Sequence, residues 1–279
     1  MDQTLLNGEL PSAGIDDSPL SAAVSQRDRG AIQMVERALQ QGDVLLAYQP
    51  VVSAQTGQPT FYEGLIRILD KSGRVIPARD FIDAVETREL GRIIDCTALR
   101  LGLQALAKHP TLRLSINMSA RSIGYPRWNQ ILDRGLKADT TIAERLILEI
   151  TESSAMTMPE LVVVFMRKLH QRGVSFALDD FGAGYTSFRY LRDFYFDILK
   201  IDGQFIKEIE HNPDNQILTQ ALISIAQHFD MFTVAENIET PGEAEFLRQA
   251  GIDCLQGYFL GAPRITPPLS DANNPKKIA

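Results

Sequence analysis

Residues 174–180 read VSFALDD, and FGAGY follows at once from Phe181 to Tyr185. The apolar run is too short for a helix and rich in Val, Phe and Leu. It predicts a buried strand that carries Asp179 and Asp180 at its C-terminal end. Two neighbouring carboxylates at such a place repel each other and lose hydration, so a cation is expected between them, most simply a divalent metal.

Working outward from this strand, β and α patterns alternate. Strands are predicted over Leu45–Val52, Thr60–Arg67, Leu112–Asn117, Arg145–Ile150, Val174–Asp179, Phe196–Ile201, Phe232–Glu236 and near Asp253–Gln256. A polar turn around Ala54–Pro59 makes the first two an antiparallel pair. Helical spacing appears in Gly30–Gln41, Pro77–Leu90, Ile93–Lys108 and Asn215–Phe229. Thr157-Met158-Pro159-Glu160 and Thr240-Pro241-Gly242-Glu243 each read as a capping box, the first opening a helix with Leu161, Phe165 and Leu169 as its buried stripe. Eight strands mostly separated by helices, with no glycine-rich dinucleotide turn, predict an α/β fold of the TIM-like β/α barrel type with an antiparallel first strand pair. The expected domain is 30–268, between a tail or linker at 1–29 and a flexible tail at 269–279.

Composition narrows the function classes. The 279 residues are 44% hydrophobic and 23% charged, enough to bury one sizeable core. A net charge of -7 argues against a nucleic-acid polymer or an anionic membrane as partner, because both need surplus Lys and Arg. No apolar run reaches the roughly 18 residues of a membrane span. Cys96 and Cys254 stand apart from any Cys or His cluster and read as reduced, in a cytoplasmic setting. His109, His170, His211 and His228 lie away from the strand ends and read as ordinary helix or loop residues.

At or near the strand ends stand Glu63, Asn117, Glu149, Asp179, Asp180, Lys200, Asp202, Glu236 and Gln256. A barrel places its active site at that rim. Any one such acid reads first as a helix cap; their recurrence around the barrel is what points to a site. The set is hard oxygen donors with one ammonium, which suits Mg²⁺ or Mn²⁺ over Zn²⁺. Asp179 bridging two metals, with Asp180 on the second, would clamp a phosphoester, while Lys200 orients water or neutralises charge and Glu236 accepts a proton. Schiff-base chemistry at Lys200 is disfavoured, because nearby acids raise its pKa. Enolase-type chemistry, with acids on successive strands around Mg²⁺ and a Lys base, is the main competing reading.

Tyr48-Gln49-Pro50, Glu63-Gly64-Leu65-Ile66-Arg67, Asn117-Met118-Ser119, Glu149-Ile150-Thr151-Glu152, Asp179-Asp180-Phe181-Gly182, Leu199-Lys200-Ile201-Asp202, Ala235-Glu236-Asn237-Ile238-Glu239 and Gln256-Gly257-Tyr258 occur in that order. Over about residues 45–265 this series resembles the EAL-domain cyclic di-GMP phosphodiesterases. The resemblance implies hydrolysis of cyclic di-GMP to linear pGpG with Mg²⁺ or Mn²⁺, two per site. It implies Glu63, Asn117, Glu149 and Asp179 as ligands of one metal, and Asp179 with Asp180 as ligands of the other. Lys200 is implied as holder of the attacking water, Glu236 as base and Gln256 as an outer partner, with Gln49 and Arg67 contacting guanine and phosphate. Glu152 is implied to steady the loop Asp180–Ser187, with Glu239 close by. A homodimer is implied through the helix after that loop, in the aromatic segment Phe181–Phe196, although core packing accounts for most of those rings. A catalytically silent cyclic di-GMP receptor is the alternative within the same family. The sequence departs from the family pattern at Gly64, expected to loosen the backbone slightly, at Thr186, and at Asn237, which stands where Gly is usual.

Overall fold

A computed structural model describes residues 19–182 and 191–267. Its sheet holds β1 (Val44–Ser53), β2 (Pro59–Leu69), β3 (Val75–Pro77), β4 (Leu114–Asn117), β5 (Leu146–Thr151), β6 (Ser175–Phe181), β7 (Ile198–Ile201), β8 (Phe232–Ala235) and β9 (Cys254–Leu255). The order β1-β9-β8-β7-β6-β5-β4-β2 closes on itself because β2 also pairs with β1. Eight strands therefore make the barrel, and β3 hangs on the outside of β2. This is the expected TIM-like barrel with an antiparallel first pair.

The direction of β1 follows from the length of its connection to β2. The chain turns between Ser53 and Pro59, with Gly57 at φ +68° donating its N–H to the Ser53 carbonyl at 2.8 Å. A parallel return would need a crossover of about a dozen residues. β1 thus runs against β2 and, where the ring closes, against β9, while β2 and β4 through β9 all run parallel to one another.

Inside the barrel, Val51, Phe61, Ile147, Ala177, Ile198, Val234 and Cys254 form one buried apolar layer. Side chains along a strand alternate between faces, so the residue two positions on points into the same interior one level higher. From Phe61 that step gives Glu63, from Ile147 Glu149, from Ala177 Asp179, from Ile198 Lys200, from Val234 Glu236 and from Cys254 Gln256. On the reversed β1 the step runs the other way, from Val51 to Gln49. The apolar layer is a floor, and the polar residues are the layer standing on it.

The helices pack outside. They are α1 (Pro19–Gln41), α2 (Ile82–Val85), α3 (Glu89–Lys108), α4 (Pro126–Ala138), α5 (Glu152–Thr157), α6 (Pro159–His170), α7 (Pro213–His228) and α8 (Pro241–Gln249). Four differ from the sequence reading. Residues 19–29, expected as part of the tail, are helical, and Gly30 lies inside α1. Pro19 suits a helix start, and the Ala, Leu, Gln and Arg that follow outweigh the roughly 1 kcal/mol that an interior Gly costs. Pro77–Leu90 is not one helix: Pro77 ends β3 against Arg67, and the chain folds sharply before α3, where a Cβ on Gly91 would lie 2.6 Å from the Glu86 carbonyl oxygen. Thr157 caps nothing, because it ends α5 and its hydroxyl donates to the Ser153 carbonyl. The buried stripe of α6 is accordingly Val162, Phe165, Met166 and Leu169, with Leu161 exposed. Helix α4, which buries Trp128, Leu132 and Leu136, falls in a stretch where the sequence reading places no element. The second capping box forms as expected: the Glu243 N–H donates to Thr240 Oγ1 at 3.1 Å and the Thr240 N–H to Glu243 Oε2 at 3.0 Å.

Ile147, directly beneath Glu149, is 3% exposed. Ile147→Ala should lower unfolding stability by about 2–5 kcal/mol, read from urea unfolding curves, because the closed barrel cannot collapse to fill the space.

Candidate active site

Lys200 organises the mouth of the barrel. Its Nζ lies 2.8 Å from Asp179 Oδ1, 2.8 Å from Glu236 Oε1, 3.0 Å from Glu149 Oε2 and 3.4 Å from Glu63 Oε2. Burial opposes a charge on this amine, yet the surrounding carboxylates of Asp179, Glu149, Glu236 and Glu63 hold its pKa well above the ordinary value. Glu63 is fixed from both sides: Asn117 Nδ2 donates to its Oε1 at 2.7 Å and Gln256 Nε2 to its Oε2 at 2.6 Å. Burial would raise the Glu63 pKa, but Lys200 and these two amides outweigh it and hold the group below its usual range.

The other acids are held less well. Burial, then the Glu63 charge, pushes Glu149 up to about 8, against the pull of Lys200. Glu236 is raised well above its ordinary value by burial and by Asp179. Partial desolvation and the adjacent Asp179 push Asp180 up to about 6. One ammonium cannot neutralise this much negative charge.

Asp180 reaches the same centre through a local irregularity. In a regular strand, adjacent side chains point to opposite faces. Here the β6–β7 register shifts between Leu178 and Phe181, and Asp180 sits at φ +54°. A bulge of this kind re-aims a side chain, and Asp is among the few non-glycine residues that accept the left-handed region. Carboxylate oxygens of Asp179, Asp180 and Glu236 consequently lie within 4.8 Å of one another, as do those of Glu63, Glu149 and Asp179. Asp179 belongs to both groups. Sequence reasoning gave Glu236 only a base's part; its place beside Asp180 in a candidate ligand group depends on the bulge, which the sequence does not announce.

The remaining expected residues surround this centre. Gln49 takes a hydrogen bond from Gln256 Nε2 at 3.4 Å and gives one to the Gly261 carbonyl at 3.2 Å. Arg67 is half-buried, donates to the Ile66 carbonyl, and lies near enough to Glu63 to feel its charge. Glu152 is buried and its Oε2 accepts the Gly182 N–H at 2.9 Å, at the start of the loop it was expected to steady. Glu239 has an exposed side chain; its backbone N–H donates to Glu243 Oε2 at 2.8 Å. Glu243, read from sequence only as a cap, also accepts the Glu208 N–H at 2.9 Å and so ties the loops after β7 and β8. Asn237 has φ +55°, the conformation in which Asn best replaces Gly. Gly64 is crowded, since a Cβ there would lie 2.7 Å from Ile116 Cδ1; Ile116 fills the space that Gly64 and Gly102 leave. Of the aromatic segment, Phe181, Phe194 and Phe196 are core and Tyr195 is exposed, while Tyr185, Thr186, Phe188 and Tyr190 lie outside the described residues.

Comparison with known proteins identifies the family. The family model described as "EAL domain" matches residues 32–263. The chain belongs to the EAL domain family. The bifunctional diguanylate cyclase/cyclic di-GMP phosphodiesterase MucR of Pseudomonas aeruginosa is 30% identical over 248 residues, covering 86% of this chain and 36% of that protein. Cyclic di-GMP phosphodiesterase PdeF of Escherichia coli is 29% identical, covering 97% of this chain and 38% of that protein. The chain thus spans little more than a third of these relatives. Among solved structures, the MucR phosphodiesterase in complex with c-di-GMP superposes with TM-score 0.74 at 30% identity, over 84% of this chain and 97% of that one. The FimX EAL domain from Pseudomonas aeruginosa bound to c-di-GMP gives TM-score 0.78 at 26% identity, over 85% and 98%.

The residues of this EAL domain fit divalent metal. The donors are hard oxygens, two acidic groups share one Asp, and Glu149 Oε1 is buried with no hydrogen-bond partner among the described residues. Saturating Mn²⁺ should therefore raise the melting temperature; at about 100 times Kd the gain is about 2.7 kcal/mol. Asp179→Asn should lose most of that gain in a thermal-shift titration, since it removes a charge from both groups.

Proposed function

We propose that this EAL domain hydrolyses one phosphodiester of cyclic di-GMP to give linear 5′-pGpG, using two divalent cations, Mg²⁺ or Mn²⁺. The observation that carries the reading is the pair of acidic groups joined at Asp179, with Lys200 between them. Glu63, Asn117, Glu149 and Asp179 would hold one cation, and Asp179, Asp180 and Glu236 stand ready for the other. Such a pair, when bound, supplies Lewis-acid activation of water and of the phosphate oxygens.

The chain's own groups do the rest. Lys200 donates toward the attacking water and balances charge that develops on the phosphate. Glu236, within hydrogen-bond reach of Lys200, would take the water's proton. Gln256 and Asn117 keep the Glu63 carboxylate in one orientation, so its lone pairs stay directed into the site. Arg67 offers a planar fork of donors to a phosphate, and Gln49 an amide to a guanine edge. MucR and FimX bind c-di-GMP in their solved complexes, and a binding site of that class supports the same ligand here. A homodimer in a reducing, cytoplasmic setting accords with exposed Tyr195 and with the two buried free thiols, Cys96 and Cys254.

Incubation with cyclic di-GMP and Mn²⁺, followed by chromatography, should yield the linear dinucleotide. Glu63→Gln and Lys200→Ala should each lower the rate by at least about 100-fold, in line with loss of an electrostatic group at the reacting centre. Saturable nucleotide binding without product would instead make the domain a receptor.

A further inference from the structure

Asn117 ends β4, and the turn behind it is pinned twice. The Ser119 N–H donates to Asp95 Oδ2 at 3.0 Å, and the Ser122 hydroxyl donates to the same oxygen at 2.6 Å. The next amide, that of Ala120, donates to Ser154 Oγ at 2.8 Å. Asp95 comes from α3, on the outside of the barrel, and Ser154 from α5. Helix α5 also supplies Glu152, which holds the Gly182 N–H beyond β6. This one short helix therefore grips the turns that follow two ligand-bearing strands. Between the pins Ser119 caps a turn of 3₁₀ helix at Ala120–Ser122, its hydroxyl accepting the Arg121 N–H at 3.2 Å.

Asp95 is half-buried, which already costs a carboxylate hydration, and the site chemistry does not use it. Burial pushes Asp95 up to about 7 against the hydrogen bonds from Ser122 and Ser119, and among the described residues it joins no ion pair. Its two bonds are spent on one object, the chain immediately behind Asn117. At the front of that chain, Asn117 Nδ2 donates to Glu63 Oε1, which leaves the amide oxygen as the atom Asn117 can offer a cation.

We infer that Asp95 and Ser154 are positioning residues for Asn117, fixing the turn after β4 so that the Asn117 side chain meets Glu63 and a cation in one geometry. The inference rests on Asn117 as a metal ligand in the proposed function. It adds that the ligand's aim is set from outside the barrel, through backbone amides rather than through any contact with metal or substrate. Neither residue touches the reacting atoms. Partners that orient a ligand typically change metal affinity by 10–100-fold when removed.

The test is Mn²⁺ affinity by calorimetry on the full chain without nucleotide, with folding checked by circular dichroism. Asp95→Ala is expected to unfold cooperatively at a lower temperature, and to bind Mn²⁺ about tenfold more weakly well below that temperature. Asp95→Asn keeps an acceptor for the Ser119 amide and should recover to within about threefold of the parent. Ser154→Ala should weaken Mn²⁺ by about threefold and serves as the deciding variant if Asp95→Ala does not fold. Parent-like Mn²⁺ affinity in a folded Asp95→Ala or Ser154→Ala protein overturns the role for that residue, since a purely structural part would lower only the melting temperature. Failure of the parent to bind Mn²⁺ overturns it altogether. Parent Mn²⁺ binding with no turnover of cyclic di-GMP removes the phosphodiesterase reading and leaves this one standing.

Discussion

A single buried ammonium ringed by carboxylates is the constraint on which this structure turns. Lys200 is fully enclosed and meets Asp179, Glu236, Glu149 and Glu63 within 3.4 Å. Enclosing so many charges costs several kcal/mol per ion unless each is matched in position and sign. Lys200 matches only part of the acid present. The imbalance is visible in Glu149, pushed up to about 8, and in Glu236, raised well above its usual value. Divalent cations would resolve the imbalance, and the same charge pattern would make such cations useful to a phosphodiester.

Strand geometry is what brings these groups together. Glu63, Glu149, Asp179, Lys200, Glu236 and Gln256 each stand two positions beyond a member of one apolar layer, so the barrel's floor and its chemistry share a single register. A slip of one residue in any strand would turn its functional side chain outward. The reversed first strand obeys the same rule backwards, which is why Gln49 precedes Val51 and still meets Gln256. Only Asp180 breaks the alternation, and the bulge that aims it lies next to the residue shared by both acidic groups.

Much of this was legible in the sequence because period-two and period-3.6 patterns are local. The eight barrel strands, the antiparallel first pair forced by a short turn, and the convergence of Glu63, Glu149, Asp179, Lys200 and Glu236 all follow from strand ends in a closed ring. What escaped depended on contacts between distant segments or on competition for one donor. Thr157 has the spelling of a cap, but its hydroxyl is taken by the Ser153 carbonyl. Pro77 opens a plausible helix, yet pairing with Arg67 claims it for a strand. Gly30 reads as a helix boundary although the helix runs through it from Pro19. The loop-tying part of Glu243 and the pinning of Ser119 by Asp95 are long-range hydrogen bonds without any sequence signature. Helix α4 is the exception: Trp128, Leu132 and Leu136 stand at helical spacing, a local pattern that suffices to announce the helix.

The central claim is that two acidic groups sharing Asp179 grip a pair of cations close enough to act on one phosphate. Electron paramagnetic resonance of the protein loaded with Mn²⁺ tests it most directly. The account predicts two ions per chain with a spin-coupled spectrum that reverts to an uncoupled one in Asp180→Asn. One ion per chain, or two with no coupling, would contradict it.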